Sequence, residues 1–283
     1  MITKKTTFII FFLLLTAFIP NLVRTLKPYI EERLPDSFSI DKVAMDVQGD
    51  FPSYEMPDLT TITRQPFHYI GHGAQAVAFA SEDNRYVLKF FLKRSMHGEK
   101  RYPIPKPTHW IPSHRKKREA RRKRLYRESL FKAMTNYMAA FDKLKENTGL
   151  IALHLTASND GDLPTVRLFD QAQMEHHIDL NRASFVLQKK VLLVKQKLAQ
   201  LSSTEKEKAL QSLEDFFEMR AREGFIDIER SFMIEANYGF LGDTPIQLDV
   251  GNIEYLEELK TAPQEEIARM HGLLHDWAVQ NVY

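Results

Sequence analysis

The chemistry this chain can do begins with two glycines and a lysine. Gly71 and Gly73 stand in Tyr69-Ile70-Gly71-His72-Gly73-Ala74-Gln75-Ala76-Val77-Ala78-Phe79, and Lys89 stands in Val87-Leu88-Lys89-Phe90, 89 − 71 = 18 residues after the first glycine. Glycines between two β-rich runs let backbone amides approach anionic oxygens, and a lysine on the next strand can reach the same oxygens as a point charge. Taken singly, a Gly-x-Gly is a turn and a strand lysine is a solvated edge residue; the two together point to a phosphate. No Gly-Lys-Ser/Thr opens a helix, so the loop is not of the Walker A kind. There is no cysteine, which removes disulfides, thiol nucleophiles and cysteine metal sites and leaves carboxylates, His, Lys and hydroxyls for any catalysis. His176-His177 and His109/His114 lack ligand companions at metal spacing, so no zinc site is assigned.

Gly71-x-Gly73-x-x-Ala76-x-Ala78 followed by Val87-Leu88-Lys89 resembles the glycine-rich loop and β3 lysine of the protein-kinase superfamily, with Ala76 in place of the third glycine. The resemblance implies an ATP phosphate site built from Gly71, Gly73, Ala76 and Lys89. Further on, Gln247-Leu248-Asp249-Val250-Gly251 is similar to the metal-binding Asp-Phe-Gly with Val in the middle. A carboxylate at a strand end, followed by a glycine that frees the backbone, can hold Mg²⁺ against nucleotide phosphates. Asn237 opens the same hairpin 249 − 237 = 12 residues earlier and resembles the asparagine that shares the metal. The likeness implies Asn237 and Asp249 as Mg²⁺ ligands.

The match weakens at the general base. There is no His-Arg-Asp triplet; Asp227 is the best-placed carboxylate, ten residues before Asn237 rather than five, and Glu229 is second. The alternative for Asp227 is a plain helix-to-strand loop carboxylate. A lysine-orienting glutamate is implied on the helix after the third strand, for which Glu128 is chosen over Glu119 and Glu146, against the ordinary reading of a surface i,i+4 partner. Phe185-Val186-Leu187-Gln188 resembles a hinge, whose backbone groups at Leu187 and Gln188 would pair with adenine.

These residues must be held by a mixed set of elements. HYIG, AVAFAS and RYVLKFFL read as three strands, with a turn at Glu82-Asp83-Asn84. A Pro-rich loop follows, then a run from Arg115 to Glu146 free of Pro and Gly that predicts one long helix ending at Asn147 or Gly149. LIALHLTAS, TVRLFD and SFVLQKKV add strands, giving a sheet of about five. Val194 to Arg222 is helical with a break at Leu201-Ser202-Ser203-Thr204 and a capped restart at Ser203. FMIEANYGFL and IQLDVGNI form a hairpin around Gly242-Asp243-Thr244-Pro245, and a last helix spans Ala262 or Pro263 to Val279. The expected fold is α+β: a two-lobed protein-kinase-like fold with a five-stranded N-lobe sheet over 66–190 and a short, reduced helical C-lobe over 191–283. The resemblance spans about Tyr69 to Gly251; only 283 − 251 = 32 residues follow Gly251, fewer than an ordinary peptide-directed kinase uses, so the chain resembles an atypical, small-molecule or degenerate member of the superfamily.

Composition bounds the rest. With 43% hydrophobic and 27% charged residues the chain is ordinarily globular, and Lys plus Arg at 39 against Asp plus Glu at 37 gives no global case for nucleic acid. Lys4 and Lys5 precede the apolar run Phe8 to Val23, which over 1–26 predicts a signal peptide or a retained single-pass anchor, the anchor favoured, with a buried core helix as the plain alternative. The domain is therefore expected to be membrane-associated or exported. Residues 27–65 predict a linker. Nine Lys or Arg between Arg115 and Arg127 predict either a solvated helix face or a contact with an anionic membrane surface or an acidic partner. Two functions remain open: a phosphotransferase using ATP and Mg²⁺, and a catalytically weak or inactive pseudokinase serving as a membrane-associated binding module.

Overall fold

The computed structural model describes residues 40–73, 75–92, 112–158, 161–228 and 234–282, and of residues 112–120, 122, 123 and 126 the backbone alone. Elements run in the order α1 (Thr60–Thr63), β1 (Phe67–His72), β2 (Ala76–Ser81), β3 (Tyr86–Phe91), α2 (Pro112–Lys143), α3 (Lys145–Thr148), β4 (Leu150–His154), β5 (Thr165–Phe169), β6 (Glu175–Asp179), β7 (Phe185–Lys189) and β8 (Leu192–Leu193). There follow α4 (Val194–Leu198), α5 (Ser203–Arg222), β9 (Phe225–Asp227), α6 (Ile234–Asn237), β10 (Tyr238–Leu241), β11 (Thr244–Gln247), β12 (Ile253–Tyr255) and α7 (Gln264–Asn281).

The large sheet has seven strands, in the order β4-β7-β3-β2-β1-β5-β6, not the five expected. The strand not expected is β6, which pairs with β5, the TVRLFD run; that hairpin adds to the free side of β1 through a short parallel pairing of Phe67 with Leu168 and His68 with Phe169. Its outer strand, Glu-His-His-Ile-Asp, is an edge strand with only Ile178 fully buried, so it carries no alternating apolar signal. A register shift between Tyr69 and Gly71 leaves Ile70 bulged out of the β1–β2 ladder and half exposed.

Strand alternation divides the sheet into two faces. Leu88 and Phe90 of β3, Phe185 and Leu187 of β7, and Val77 and Phe79 of β2 build the outer core. Val43 and Leu59 join that core, so the stretch expected as a linker packs against the sheet, with Val43 and Met45 bridging to Leu92 and Ala183. Phe91, Val186, Leu150 and Leu153 form the other face and meet α2 through Leu130, Ala133, Met134, Tyr137, Ala140, Phe141 and Leu144. That i, i+3, i+4, i+7 series is the buried stripe of an amphipathic helix. Among the described residues of α2 before Leu130, every side chain is exposed, Arg121, Arg124 and Arg127 included. The helix stops at Lys143, and the short α3 carries the chain to Gly149, whose φ of 63° turns it into β4.

The second lobe is built from α4, α5 and α7 around Leu213, Phe217, Tyr238, Phe240, Met270 and Leu274. The break before α5 lies where the sequence places it, but the cap is one residue earlier: Glu205 accepts hydrogen bonds from the Ser202 amide at 2.9 Å and its hydroxyl at 2.6 Å. The small sheet β11-β10-β8 joins this lobe to the connection after β7, and the pair β12-β9 packs Phe225 and Ile253 into the core under α2. No helix among the described residues is long and apolar enough to cross a membrane. That finding removes the support for the membrane-anchored placement; the run Phe8 to Val23, on which it rested, lies outside the described residues.

The junction of β8 with β10 leaves no room at Gly239, where a Cβ would lie 2.5 Å from Val191 Cγ2 and 2.6 Å from the Leu192 carbonyl oxygen. Gly239→Ala is expected to destabilise the protein by about 1–3 kcal/mol through overpacking, read as a lower urea midpoint with unchanged slope.

Candidate functional site

Lys89 occupies the centre of β3, flanked in the ladder by Ala78 of β2 and Val186 of β7. Its neighbour Phe91, two residues on, points to the α2 side, and Lys89 shares that face by strand alternation. There the ammonium donates to the Leu248 carbonyl at 2.5 Å, a contact spanning 159 residues of sequence. Burial pushes its pKa down to about 8, and the Asp249 carboxylate pulls in the opposite direction. The sequence-predicted phosphate lysine and metal carboxylate are thus electrostatic neighbours.

The segment from Leu248 to Gly251 is tethered at every residue. Leu248 donates its amide to the Asn237 carbonyl at 2.7 Å, extending the β10–β11 ladder and setting Asn237 beside the residue before Asp249. Asp249 Oδ1 accepts the Gly251 amide at 3.0 Å. The Val250 amide lies beside the Tyr137 hydroxyl, whose pKa is driven well above the usual tyrosine value by burial and then by the Asp249 charge. Asn136 Nδ2 donates to the Gly251 carbonyl at 2.8 Å. Gln75 of the glycine-containing loop closes over the same place: a Cβ on Gly251 would collide with its carboxamide oxygen. By contrast, a Cβ on Gly71 or Gly73 would meet nothing within 4 Å, so the loop's outer side is open to approach. The Gly73 amide donates to the Ala76 carbonyl at 2.8 Å and closes the turn.

Three expectations are corrected by this geometry. Glu128 is exposed and faces Arg124 Nε at 3.5 Å on its own helix, away from Lys89. It lies off the stripe running through Leu130, Met134 and Tyr137, so the helix cannot bring it inward; Asn136 and Tyr137 are the residues that reach the site. Of its competitors, Glu119 has its side chain outside the described residues, and Glu146 on α3 lines a separate pocket of about 590 Å³ with Tyr54, Phe141 and Lys189. Leu187 and Gln188 are not a hinge. Both sit in a central strand laddered to β3 on one side and β4 on the other, which commits their backbone groups. The Gln188 side chain is buried and donates to the Thr148 carbonyl at 2.5 Å; the Lys190 amide still donates to the Arg85 carbonyl at 2.8 Å, so the chain leaves the sheet only at Val191.

Asp227 is the third. It pairs in the ladder with Ile253, and its Oδ2 accepts the Tyr238 hydroxyl at 2.9 Å and faces Arg220 Nη1 at 3.7 Å. Arg220 is fully buried and also donates to Tyr238 at 2.8 Å, to Gln247 Oε1 at 3.1 Å and to Glu266 Oε1 at 3.3 Å. Arg269 closes the group, with Nε on Glu266 at 2.7 Å and Nη2 on the Asp227 carbonyl at 2.8 Å. Burial raises the Tyr238 pKa, with Arg220 and Asp227 acting in opposite senses. A carboxylate held this way is engaged by a hydroxyl and a guanidinium, which is the plain structural reading of Asp227. Glu229, the second choice, lies outside the described residues.

Hard oxygen donors at Asp249 and Asn237 suit Mg²⁺, and no group of three or more His, Asp or Glu among the described residues could hold a metal by itself. That donor set fits an ion carried in on phosphates rather than a resident metal.

No family model matches the chain, and no curated protein matches it. Among solved structures it is similar to a medium-resolution structure of the bifunctional kinase-methyltransferase WbdD, at 16% identity over 72% of this chain and 34% of that one, with a TM-score of 0.33. A second WbdD structure, with a bound kinase inhibitor, aligns at 15% identity over 76% of this chain and 39% of that one, with a TM-score of 0.34. The chain spans little more than a third of those structures.

Two outcomes follow from the site's charges. Lys89 has a folded pKa of about 8 against a usual 10.5, so between those values the unfolded chain holds the extra proton and stability rises with pH. Urea unfolding at a series of pH values should show wild type gaining on Lys89→Met across that window and running parallel to it below pH 8. Arg220→Met should cost about 3–5 kcal/mol in the same assay, because Asp227 and Glu266 stay buried without their guanidinium.

Proposed function

We propose that the chain is an ATP-binding, kinase-like phosphotransferase that uses Mg²⁺, with Lys89 on the nucleotide phosphates and Asp249 and Asn237 on the metal. One observation carries the reading: residues 89 and 249, chosen from sequence as phosphate and metal contacts, are brought together across two lobes, and the Lys89 ammonium is desolvated there. An ammonium in that setting gains most from a phosphate, which returns to it the charge stabilisation that burial removed. Gly71 and Gly73 support the same end of the ligand, since the backbone between β1 and β2 is unobstructed from outside. Mg²⁺, when bound, neutralises phosphate charge; Asp249 and Asn237 supply its protein oxygens.

The purine would lie against the connection at Val191, the first backbone past Lys190, whose amide still pairs with the Arg85 carbonyl. Among the described residues, Lys89 takes no partner from a helix glutamate. Its orientation comes from the Leu248 carbonyl and the Asp249 charge.

The second reading, a nucleotide-binding module that transfers no phosphate, is favoured by the engagement of Asp227 with Tyr238 and Arg220. The two readings share the binding step and part at turnover.

Thermal melting of the protein with ATP and Mg²⁺ tests the shared step. At 100 times the dissociation constant the ligand should add about 2.7 kcal/mol of stability. Lys89→Ala is expected to abolish the shift, and Asp249→Asn to remove the part that depends on Mg²⁺. No shift in folded wild-type protein would end the nucleotide reading. ATP turnover that persists in Asp227→Asn would assign the base elsewhere, and no turnover in wild type would leave the binding module.

A further inference from the structure

Helix α2 reaches the metal end of the candidate site with neutral groups. Its Asn136 carboxamide donates to the Gly251 carbonyl at 2.8 Å, and its Tyr137 packs in the same layer as Val250 with the hydroxyl beside the Val250 amide. Both side chains are almost fully buried, at 5% and 4% exposure, and the Tyr137 ring stands edge-on to Phe91 of β3 at 5.2 Å between centroids. Neither contact is needed to close the core, which α2 already makes with Leu130, Ala133, Met134, Ala140, Phe141 and Leu144. What the two polar groups add is a fixed path for the two residues after Asp249, while Lys89 fixes the one before it. The Asp249 carboxylate is then held from both sides, and the Gly251 amide holds its Oδ1 at 3.0 Å.

We infer that Tyr137 and Asn136 are positioning residues for Asp249, setting the carboxylate for Mg²⁺ through the backbone of Val250 and Gly251. This rests on the Mg²⁺–nucleotide reading of the site. An ionic helix contact would compete with Asp249 for the Lys89 ammonium; a hydroxyl and a carboxamide do not, so the lysine stays in the field of the carboxylate that would hold the metal. Groups that orient a metal ligand without touching the metal commonly cost 10- to 100-fold in metal affinity when removed.

The test is a calorimetric titration of Mg²⁺ into full-chain protein with ATP, comparing wild type, Tyr137→Phe and Asn136→Leu, with amide hydrogen exchange at Val250 and Gly251 in nucleotide-free protein. Tyr137→Phe removes one oxygen and keeps the ring on Phe91. Each variant is expected to need about tenfold more Mg²⁺ for half-saturation, to recover wild-type ATP binding at saturating Mg²⁺, and to exchange faster at the tethered amide. A packing role alone would lower the melting temperature without changing the Mg²⁺ requirement, and that result overturns the inference while the nucleotide reading stands. A wild-type Mg²⁺ midpoint in both variants, or a loss of binding that excess Mg²⁺ does not restore, overturns it equally. Wild-type protein that binds ATP with no response to Mg²⁺ removes the metal assignment itself, and the inference with it.

Discussion

A buried ammonium must have acceptors and an opposite charge, and much of this structure is arranged around that requirement at Lys89. Strand β3 puts the lysine on the inner face of the sheet, where water is scarce and its charged form is disfavoured. The nearest compensation is not in its own lobe. It comes from Leu248 and Asp249, at the end of the hairpin β10–β11. Bringing that segment up to the sheet also seats Val250 in the apolar layer with Phe91, Tyr137 and Val186. The polar and apolar halves of the interface therefore specify the same register, with α2 wedged against both.

A second buried charge holds the hairpin from below. Tyr238 and Gln247 face each other across the β10–β11 ladder, and Arg220 donates to both side chains. The guanidinium thus clasps the pair of residues next to Asn237 and Leu248. Glu266 and Arg269 from α7 tie the same cluster to β9 through the Asp227 amide, at 3.0 Å, and its carbonyl. A fully buried ion group of this kind contributes little net stability, yet it costs several kcal/mol when one member is lost. Its service here is to keep the strand ends beside Asp249 in one arrangement.

Residues that act through their own type and spacing were legible in the sequence. The glycine pair, Lys89, Asp249 and the hairpin between Asn237 and Asp249 stand in short strings with strong turn and strand signals. Residues that act through a helix face or a ladder partner were less so. Glu128 has the right chemistry for a lysine partner but the wrong phase: Leu130, Met134, Tyr137 and Phe141 mark the inward stripe, which contains Tyr137, while Asn136 stands on its flank and shows no periodic signal. Leu187 and Gln188 look like any strand end, and only the pairing on both sides shows that the sheet continues to Lys189. The edge strand from Glu175 to Asp179 carries too little apolar pattern to be seen alone. Asp227 reads as a loop acid because its partners lie at 220, 238 and 269, a proximity that no local window contains.

Whether Lys89 lies against nucleotide phosphates is the claim on which the account stands, and covalent labelling addresses it at the level of one side chain. An acyl-phosphate derivative of ATP transfers its acyl group to a lysine amine held next to the phosphates, and the labelled peptide is identified by mass spectrometry. Acylation is expected at Lys89, suppressed by excess Mg²⁺ and ATP and reduced in Asp249→Asn. Labelling confined to exposed lysines and indifferent to competing ATP would contradict it.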